Sequence, residues 1–436
     1  MYNLTKWLKK SRGIQLSIFL VLMMQLGYSQ PALTTLNLEK AYQLARENYP
    51  LIKQKDLIAR SSFLTIENIR TAFLPQLSVN GQASYQSDVT SISIPIPGFK
   101  FSPLSKDQYK VWGDLNQLIY DGGIVKTQKA IQERSSLVDD QKTEVELYQL
   151  KDRINQLYLG VLLLDEQLKQ AVLAREEVNL GLKTVQAQVQ NGTAFKSAQW
   201  VLEAQLLQND QKVIEIKNSR LALLHVLELF VRVSISENVI LDVPVVKTTL
   251  DDTIQSIQRP EILLYSYQDS LWRAQQQLVH AKNTPTLSLF AEGGYGKPGF
   301  NMLDNEFALY GIGGIRFNWS ISNFYTSKRQ QQIIDVNRKI NNVQKEVFLF
   351  NTRTELVQQQ ANIKNLKDEM DIDEKIIAVR SKITESSKAQ LQNGVINSND
   401  YLREINAEDQ ARSLNILHQV QLLQAKINYQ TIQGNQ

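Results

Sequence analysis

Gln392-Asn393-Gly394-Val395-Ile396-Asn397-Ser398-Asn399-Asp400-Tyr401-Leu402-Arg403-Glu404 interrupts a long helical pattern and then restarts it. About 200 residues earlier, Gln190-Asn191-Gly192-Thr193-Ala194-Phe195-Lys196-Ser197-Ala198-Gln199-Trp200-Val201-Leu202-Glu203 does the same. With one residue inserted in the earlier copy, Trp200 aligns with Tyr401 and Glu203 with Glu404. Asn and Gly both tolerate positive φ, so an Asn-Gly pair between two periodic stretches predicts a helix-helix turn. Two such turns at matching places indicate a duplication, and internal repeats decide architecture.

The duplication extends outward. Tyr49-Pro50-Leu51-Ile52 matches Arg259-Pro260-Glu261-Ile262, and Phe73-Leu74-Pro75-Gln76-Leu77-Ser78 matches Asn283-Thr284-Pro285-Thr286-Leu287-Ser288. At the same offset Tyr85 falls on Tyr295. Two repeats, about 37–243 and 255–432, are predicted.

Proline disrupts helix interiors. None occurs between 104 and 243 or after 298, so long helices are expected near 122–235 and 325–432. A shorter helix is expected from the N-cap candidate Asn37 to about Ala72, broken at Pro50. Its second copy starts near Pro260 and runs to about Lys282.

Between these helices the period changes to two, placing strands near 76–120 and 286–321. Leu77, Val79, Gly81, Ala83 and Tyr85 alternate with Ser78, Asn80, Gln82, Ser84 and Gln86, giving one apolar and one polar face. A second strand covers about Tyr109–Tyr120, after a loop at 87–108 that holds Pro95, Pro97, Gly98 and Pro103. Leu287, Leu289, Ala291, Gly293 and Tyr295 share a face of the third strand. Phe307, Leu309, Ile315, Phe317, Trp319 and Ile321 share a face of the fourth. A half-buried soluble sheet gives the same alternation, but the helices offer no obvious cover for one.

The long helices carry heptads. Leu147, Leu150, Ile154, Leu157, Val161, Leu164, Leu168, Ala171, Arg175, Val178, Leu182, Val185 and Val189 are spaced alternately by three and four, and only Arg175 is not apolar. Ile333, Val336, Ile340, Val343, Val347, Phe350, Thr354, Val357 and Ala361 repeat the spacing. Such spacing predicts coiled-coil packing of both stripes on partner helices.

Residues 1–29 read as a signal peptide: basic Lys6, Lys9, Lys10 and Arg12, an apolar run from Ile14 to Leu26, and small residues before Gln30. Without those four cations, Lys+Arg equals Asp+Glu at 44, so a chain starting at Gln30 is formally neutral and carries no nucleic-acid footprint. There is no cysteine for a disulfide or a lipid anchor. The most apolar later run, Leu157–Leu164, soon meets Asp165 and Glu166, so any membrane crossing falls to the strands.

Four strands cannot close a membrane barrel, whose smallest members have about eight. Open strand edges are not tolerated in lipid, so several chains must share one barrel.

At this point the chain resembles the TolC-like outer-membrane efflux family, the outer-membrane factors, over nearly its whole length. The resemblance is carried by the duplicated helix-Pro-strand unit, the Leu118-Ile119-Tyr120-Asp121-Gly122-Gly123 strand-to-helix junction, and the glycine tips. It implies a mixed, mainly α fold: a trimer sharing a twelve-stranded transmembrane β-barrel and a long coiled-coil α-helical barrel across the periplasm. It implies a passive exit duct of a tripartite efflux or type I secretion system. Its partners would be a periplasmic adaptor protein, an inner-membrane transporter and outer-membrane lipid. In the family, acidic residues after the second tip glycine line the periplasmic aperture. Asp400 matches one such position; Arg403 stands where a second acid is expected, beside Glu404. The tips Asn191, Gly192, Asn393 and Gly394 are the adaptor-docking candidates. The second-half junction, Trp319-Ser320-Ile321-Ser322-Asn323-Phe324, lacks the glycine pair.

No catalytic, cofactor or metal constellation is evident. Gly294-Tyr295-Gly296-Lys297-Pro298-Gly299 matches G-x-G-x-x-G but opens no helix and reads as a hairpin loop. His225, His280 and His418 lack ligand spacing. The competing reading is a periplasmic or cell-surface coiled-coil scaffold with a soluble sheet.

Overall fold

The computed structural model describes residues 33–90, 103–246 and 257–434. The expected signal peptide, the start at Gln30, and Pro95, Pro97 and Gly98 lie outside the described residues. In chain order the elements are β1 (Leu33–Leu36), α1 (Leu38–Asn48), α2 (Ile52–Arg70), β2 (Gln76–Tyr85), β3 (Asp107–Tyr120), α3 (Ile124–Gln190), α4 (Lys196–Val231) and β4 (Ile235–Leu241). Then follow α5 (Pro260–Ala281), β5 (Thr286–Lys297), β6 (Ala308–Asn318), α6 (Phe324–Gln392) and α7 (Ser398–Gln433). The proline-free stretches do hold the long helices: α3 has 67 residues and α6 has 69.

Local chemistry sets the boundaries. The Asn37 side chain caps α1, accepting from the Lys40 amide at 2.8 Å. Pro50 separates α1 from α2, and Pro260 opens α5 at its first turn. The two strand-to-helix junctions are built differently. In the first, Gly122 and Gly123 take φ of 71° and 89° while Asp121 accepts from the Gly123 and Val125 amides at 2.8 and 2.5 Å. A side chain at Gly122 would overlap Thr284. In the second, a 3₁₀ turn at Ile321–Asn323 replaces the glycines, and Asn323 donates to the Lys282 carbonyl at 2.7 Å.

The chain divides into two compact units. One comprises Pro50–Gln149, Asp251–Gln358 and Ile432–Gln436. It contains a four-stranded antiparallel sheet in the order β2-β3-β5-β6, with the helices that enter and leave it. Trp319 and Ile321, assigned from sequence to the fourth strand, lie beyond its end because the chain turns into the 3₁₀ segment after Asn318. Gly294 and Gly296 belong to β5 itself, and the hairpin loop starts at Pro298.

The other unit comprises Met1–Tyr49, Leu150–Leu250 and Gln359–Thr431. Here β1 pairs with β4 in parallel, a small sheet the sequence patterning missed. The fully buried Tyr158 hydroxyl lies 2.7 Å from the Leu36 carbonyl and 2.8 Å from that of Asp242, pinning the sheet to α3. Burial, then the Asp242 carboxylate, pushes that phenol's pKa up. Around it Leu36, Ala41, Ile154, Val161, Leu227 and Val231 form one apolar core.

Candidate functional site

Strand register decides which side chains share a face. In the sheet, Leu77 stands beside Leu115, Val79 beside Gly113, and Ala83 beside Tyr109. Leu115 stands beside Ala291, Leu289 beside Ile315, and Leu287 beside Phe317. The sequence-predicted apolar residues that lie within β2, β5 and β6 therefore share one face, joined by Tyr109 and Leu115 of β3. It is bare: Leu77 is 75% exposed, Val79 77% and Leu309 83%. At the loop end of this face, Phe307 stacks on Tyr295 with ring centroids 5.5 Å apart and lies 6.4 Å from Tyr109. The opposite face carries Asn80, Asp114, Glu292 and Arg316. Asp114 accepts from Asn80 Nδ2 at 2.5 Å and from Trp112 Nε1 at 2.8 Å. Among the described residues β2 and β6 each keep one unpaired edge. A contiguous exposed apolar surface marks an interaction site, and open strand edges offer a template for pairing with further strands.

The two predicted heptads have different fates. In α3, Ile154, Val161, Ala171, Val178, Leu182 and Val185 are buried, and Arg175 satisfies its charge on Asp210 of α4. In α6 the stripe is left uncovered within this chain. Ile333, Val336, Val343, Val347, Phe350 and Val357 are all exposed. The stripe buried in this chain runs close beside it, through Ile334, Asn341, Thr352, Leu356, Ile363 and Leu366. The helix is therefore apolar on two sides, and among the described residues only one of them is covered.

Both tips adopt the same turn. Gly192 and Gly394 have φ of 73° and 70°. The Gly192 amide bonds to the Val189 carbonyl and Thr193 to Gln188; the Gly394 amide bonds to Leu391 and Val395 to Gln390. These paired bonds are the Schellman pattern that closes a helix on a left-handed residue. Asn191 and Asn393 precede those glycines, and the Asn393 amide side chain donates to the Ala389 carbonyl.

Past the second tip, α7 starts at Ser398, with Asn397 accepting from the amides of Asn399 and Asp400 at 2.9 and 3.0 Å. Asp400 lies in the first turn, where a carboxylate suits the helix dipole. The structure does bring the three aperture candidates together. Arg403 is 3.1 Å from Glu404 and 3.8 Å from Asp400, and Glu404 also meets Arg380 of α6 at 3.5 Å. Arg403 thus has partners within its own chain. With Val379, Ile383 and Ile396 the trio lines an open groove of about 480 Å³.

Two features of this region escaped sequence reasoning. Tyr401 is 1% exposed and fills the notch left by Gly181 of α3, where a Cβ would come within 2.6 Å of its ring. Burial, then Glu177, pushes the phenol to about 12. Its repeat partner Trp200 is 57% exposed. A glycine inside a heptad helix was the available signal. Second, Gln188 donates to the Leu391 carbonyl at 2.7 Å, tying one tip to the other. Of the histidines, His418 links α7 to α6, with Nδ1 2.7 Å from Asp373 and Nε2 3.8 Å from Glu369.

No family model matches the chain, and no curated protein sequence does. Solved structures do. The open-state MtrE outer-membrane channel of Neisseria gonorrhoeae superposes with a TM-score of 0.66 at 14% identity, covering 91% of this chain and 89% of MtrE. The outer-membrane protein VceC of Vibrio cholerae gives 0.65 at 12% identity, with 91% and 96% covered. CusC, described as forming a transmembrane channel, gives 0.65 at 14% identity, with 94% and 96% covered. The chain has the fold of the TolC-like outer-membrane factors.

Proposed function

We propose that this chain is one of three identical protomers of an outer-membrane channel, the passive exit duct of a tripartite efflux or type I secretion system. The observation that carries the reading is the sheet. Its four strands present an apolar, bare face and two unpaired edges, and among the described residues no helix is long and apolar enough to cross a membrane. Lipid tolerates no open edge. Three copies would supply twelve strands, close every edge and turn the apolar face to lipid. The exposed α6 stripe would then pack on further helices of the assembly. A soluble scaffold would leave both surfaces uncovered.

On this reading the sheet lies in the outer membrane and the helical hairpins extend into the periplasm. The tips Asn191, Gly192, Asn393 and Gly394 meet a periplasmic adaptor, which connects the duct to an inner-membrane transporter. Asp400, Arg403 and Glu404 line the aperture. The role is transport, not catalysis. A ring of carboxylates at a narrow mouth attracts cations.

The test is planar-bilayer conductance of the purified protein. The expected result is a cation-preferring pore whose preference falls in Asp400→Ala and further in Asp400→Ala/Glu404→Ala. Protein with intact β-structure that conducts nothing overturns the channel reading. A pore with unchanged selectivity in both variants overturns the aperture assignment and leaves Asp400 its helix-start role.

A further inference from the structure

We infer that the helix end of the sheet bears a basic collar that docks on the headgroups of anionic glycerophospholipids. The inference rests on the reading of the apolar sheet face as lipid-facing. Lys126 stands in the first turn of α3, Lys282 directly follows α5, and Lys328 stands in the second turn of α6. All three are exposed, six, four and ten positions along the chain from the strand ends Tyr120, Thr286 and Asn318.

The carboxylates of that belt are already engaged. Glu67 is held by Arg70 at 2.6 Å, and Asp121 is buried beneath the Gly123 and Val125 amides. Neither compensates the three ammonium groups. The opposite end of the sheet has the reverse balance. Among the described residues there, Asp88, Asp107, Asp304 and Glu306 are exposed, against Lys106, turned to the Ser87 carbonyl at 3.0 Å, and Lys297 at the end of β5.

Between the lysines and the apolar face stand the exposed rings of Tyr120, Trp319, Phe324 and Tyr325. Aromatic rings settle at headgroup level, and a lysine stem lets its ammonium reach the phosphates beyond them. A negatively charged leaflet attracts such groups over about a Debye length. The order apolar, aromatic, basic therefore matches one leaflet of a bilayer with anionic headgroups.

The test is lipid retention by the full chain in nanodiscs of phosphatidylcholine mixed with phosphatidylglycerol. Expected is several-fold enrichment of phosphatidylglycerol among the lipids that co-purify. The enrichment should be lost in Lys126→Gln/Lys282→Gln/Lys328→Gln and kept in Lys106→Gln/Lys297→Gln. Equal retention of both lipids, or enrichment that survives the triple substitution, overturns the collar while leaving the channel reading intact. Displacement by inorganic phosphate at matched ionic strength overturns the lipid assignment in favour of a free-anion site. Failure to enter nanodiscs of either composition overturns the collar and the membrane reading together.

Discussion

The hairpins α3/α4 and α6/α7 end in the same turn, yet the side chains they bury differ in chemistry. In the first, α3 buries the apolar Ile154, Val161, Val178, Leu182 and Val185, the last three in a core shared with Leu391, Tyr401 and Ile405 of the second hairpin, and the α3–α4 ion pairs are Arg175–Asp210 and Arg220–Asp165. The second buries Asp373, Thr384, Ser387 and Glu408 among its apolar residues; Asp373 meets His418, Glu408 meets Arg412, and Thr384 donates to the Glu404 carbonyl. Apolar burial is non-directional and insensitive to pH. Ion pairs and hydrogen bonds require particular partners, and charged ones respond to pH and salt. Turn geometry is set locally, so it recurs at both tips. Seam chemistry depends on neighbours, so it diverged.

The largest expected difference lies at the aligned aromatics. Tyr401→Ala should cost about 3–5 kcal/mol, the range for emptying a buried aromatic site. Trp200→Ala should change stability by no more than about 0.5 kcal/mol within one chain. Hydrogen exchange of the first turns of α4 and α7 measures both, and equal losses would erase the distinction between the tips. Next comes Gly181→Val, which should cost about 1–3 kcal/mol by overpacking the notch. Combined with Tyr401→Ala it should cost less than the sum, because the alanine makes room for the valine.

Gly192→Ala and Gly394→Ala sharpen the comparison from the other side. Each forces a left-handed residue to carry a Cβ, at about 1–2 kcal/mol. Nothing lies within 4 Å of where either new Cβ would stand, so the two costs should agree. Unequal costs in the same exchange measurement would mean the turns differ after all.

The smallest expected effect is electrostatic. Desolvation, then the Glu408 carboxylate, raises the Glu177 pKa. A carboxyl whose folded pKa is raised disfavours folding when ionised, and this cost disappears as pH falls through the raised value. Glu177→Gln should therefore stabilise the α3–α7 contact by a few tenths of a kcal/mol at neutral pH and not at about pH 4. Thermal denaturation at the two pH values checks this.

Sequence periodicity carried much of this architecture. The tip turns were legible because Asn-Gly has few alternatives, and the strand faces because a period of two leaves no ambiguity about parity. The fate of the α6 stripe was not legible. Three-four spacing reports that a helix side is apolar and says nothing of which chain covers it; Val343 and Val178 look alike until neighbours are in place. The β1–β4 pair escaped because Leu33–Leu36 is too short to show a period. Tyr401 and Gly181 lie 220 positions apart, and only the packed structure joins them.

On the proposed reading, the open edges of β2 and β6 and the bare stripe of α6 are both covered by further copies of the chain. Sedimentation of the purified protein in mild detergent, with circular dichroism on the same sample, measures their number directly. Three protomers per particle with the strands intact is the predicted result; a monodisperse monomer that retains its β-structure would contradict it.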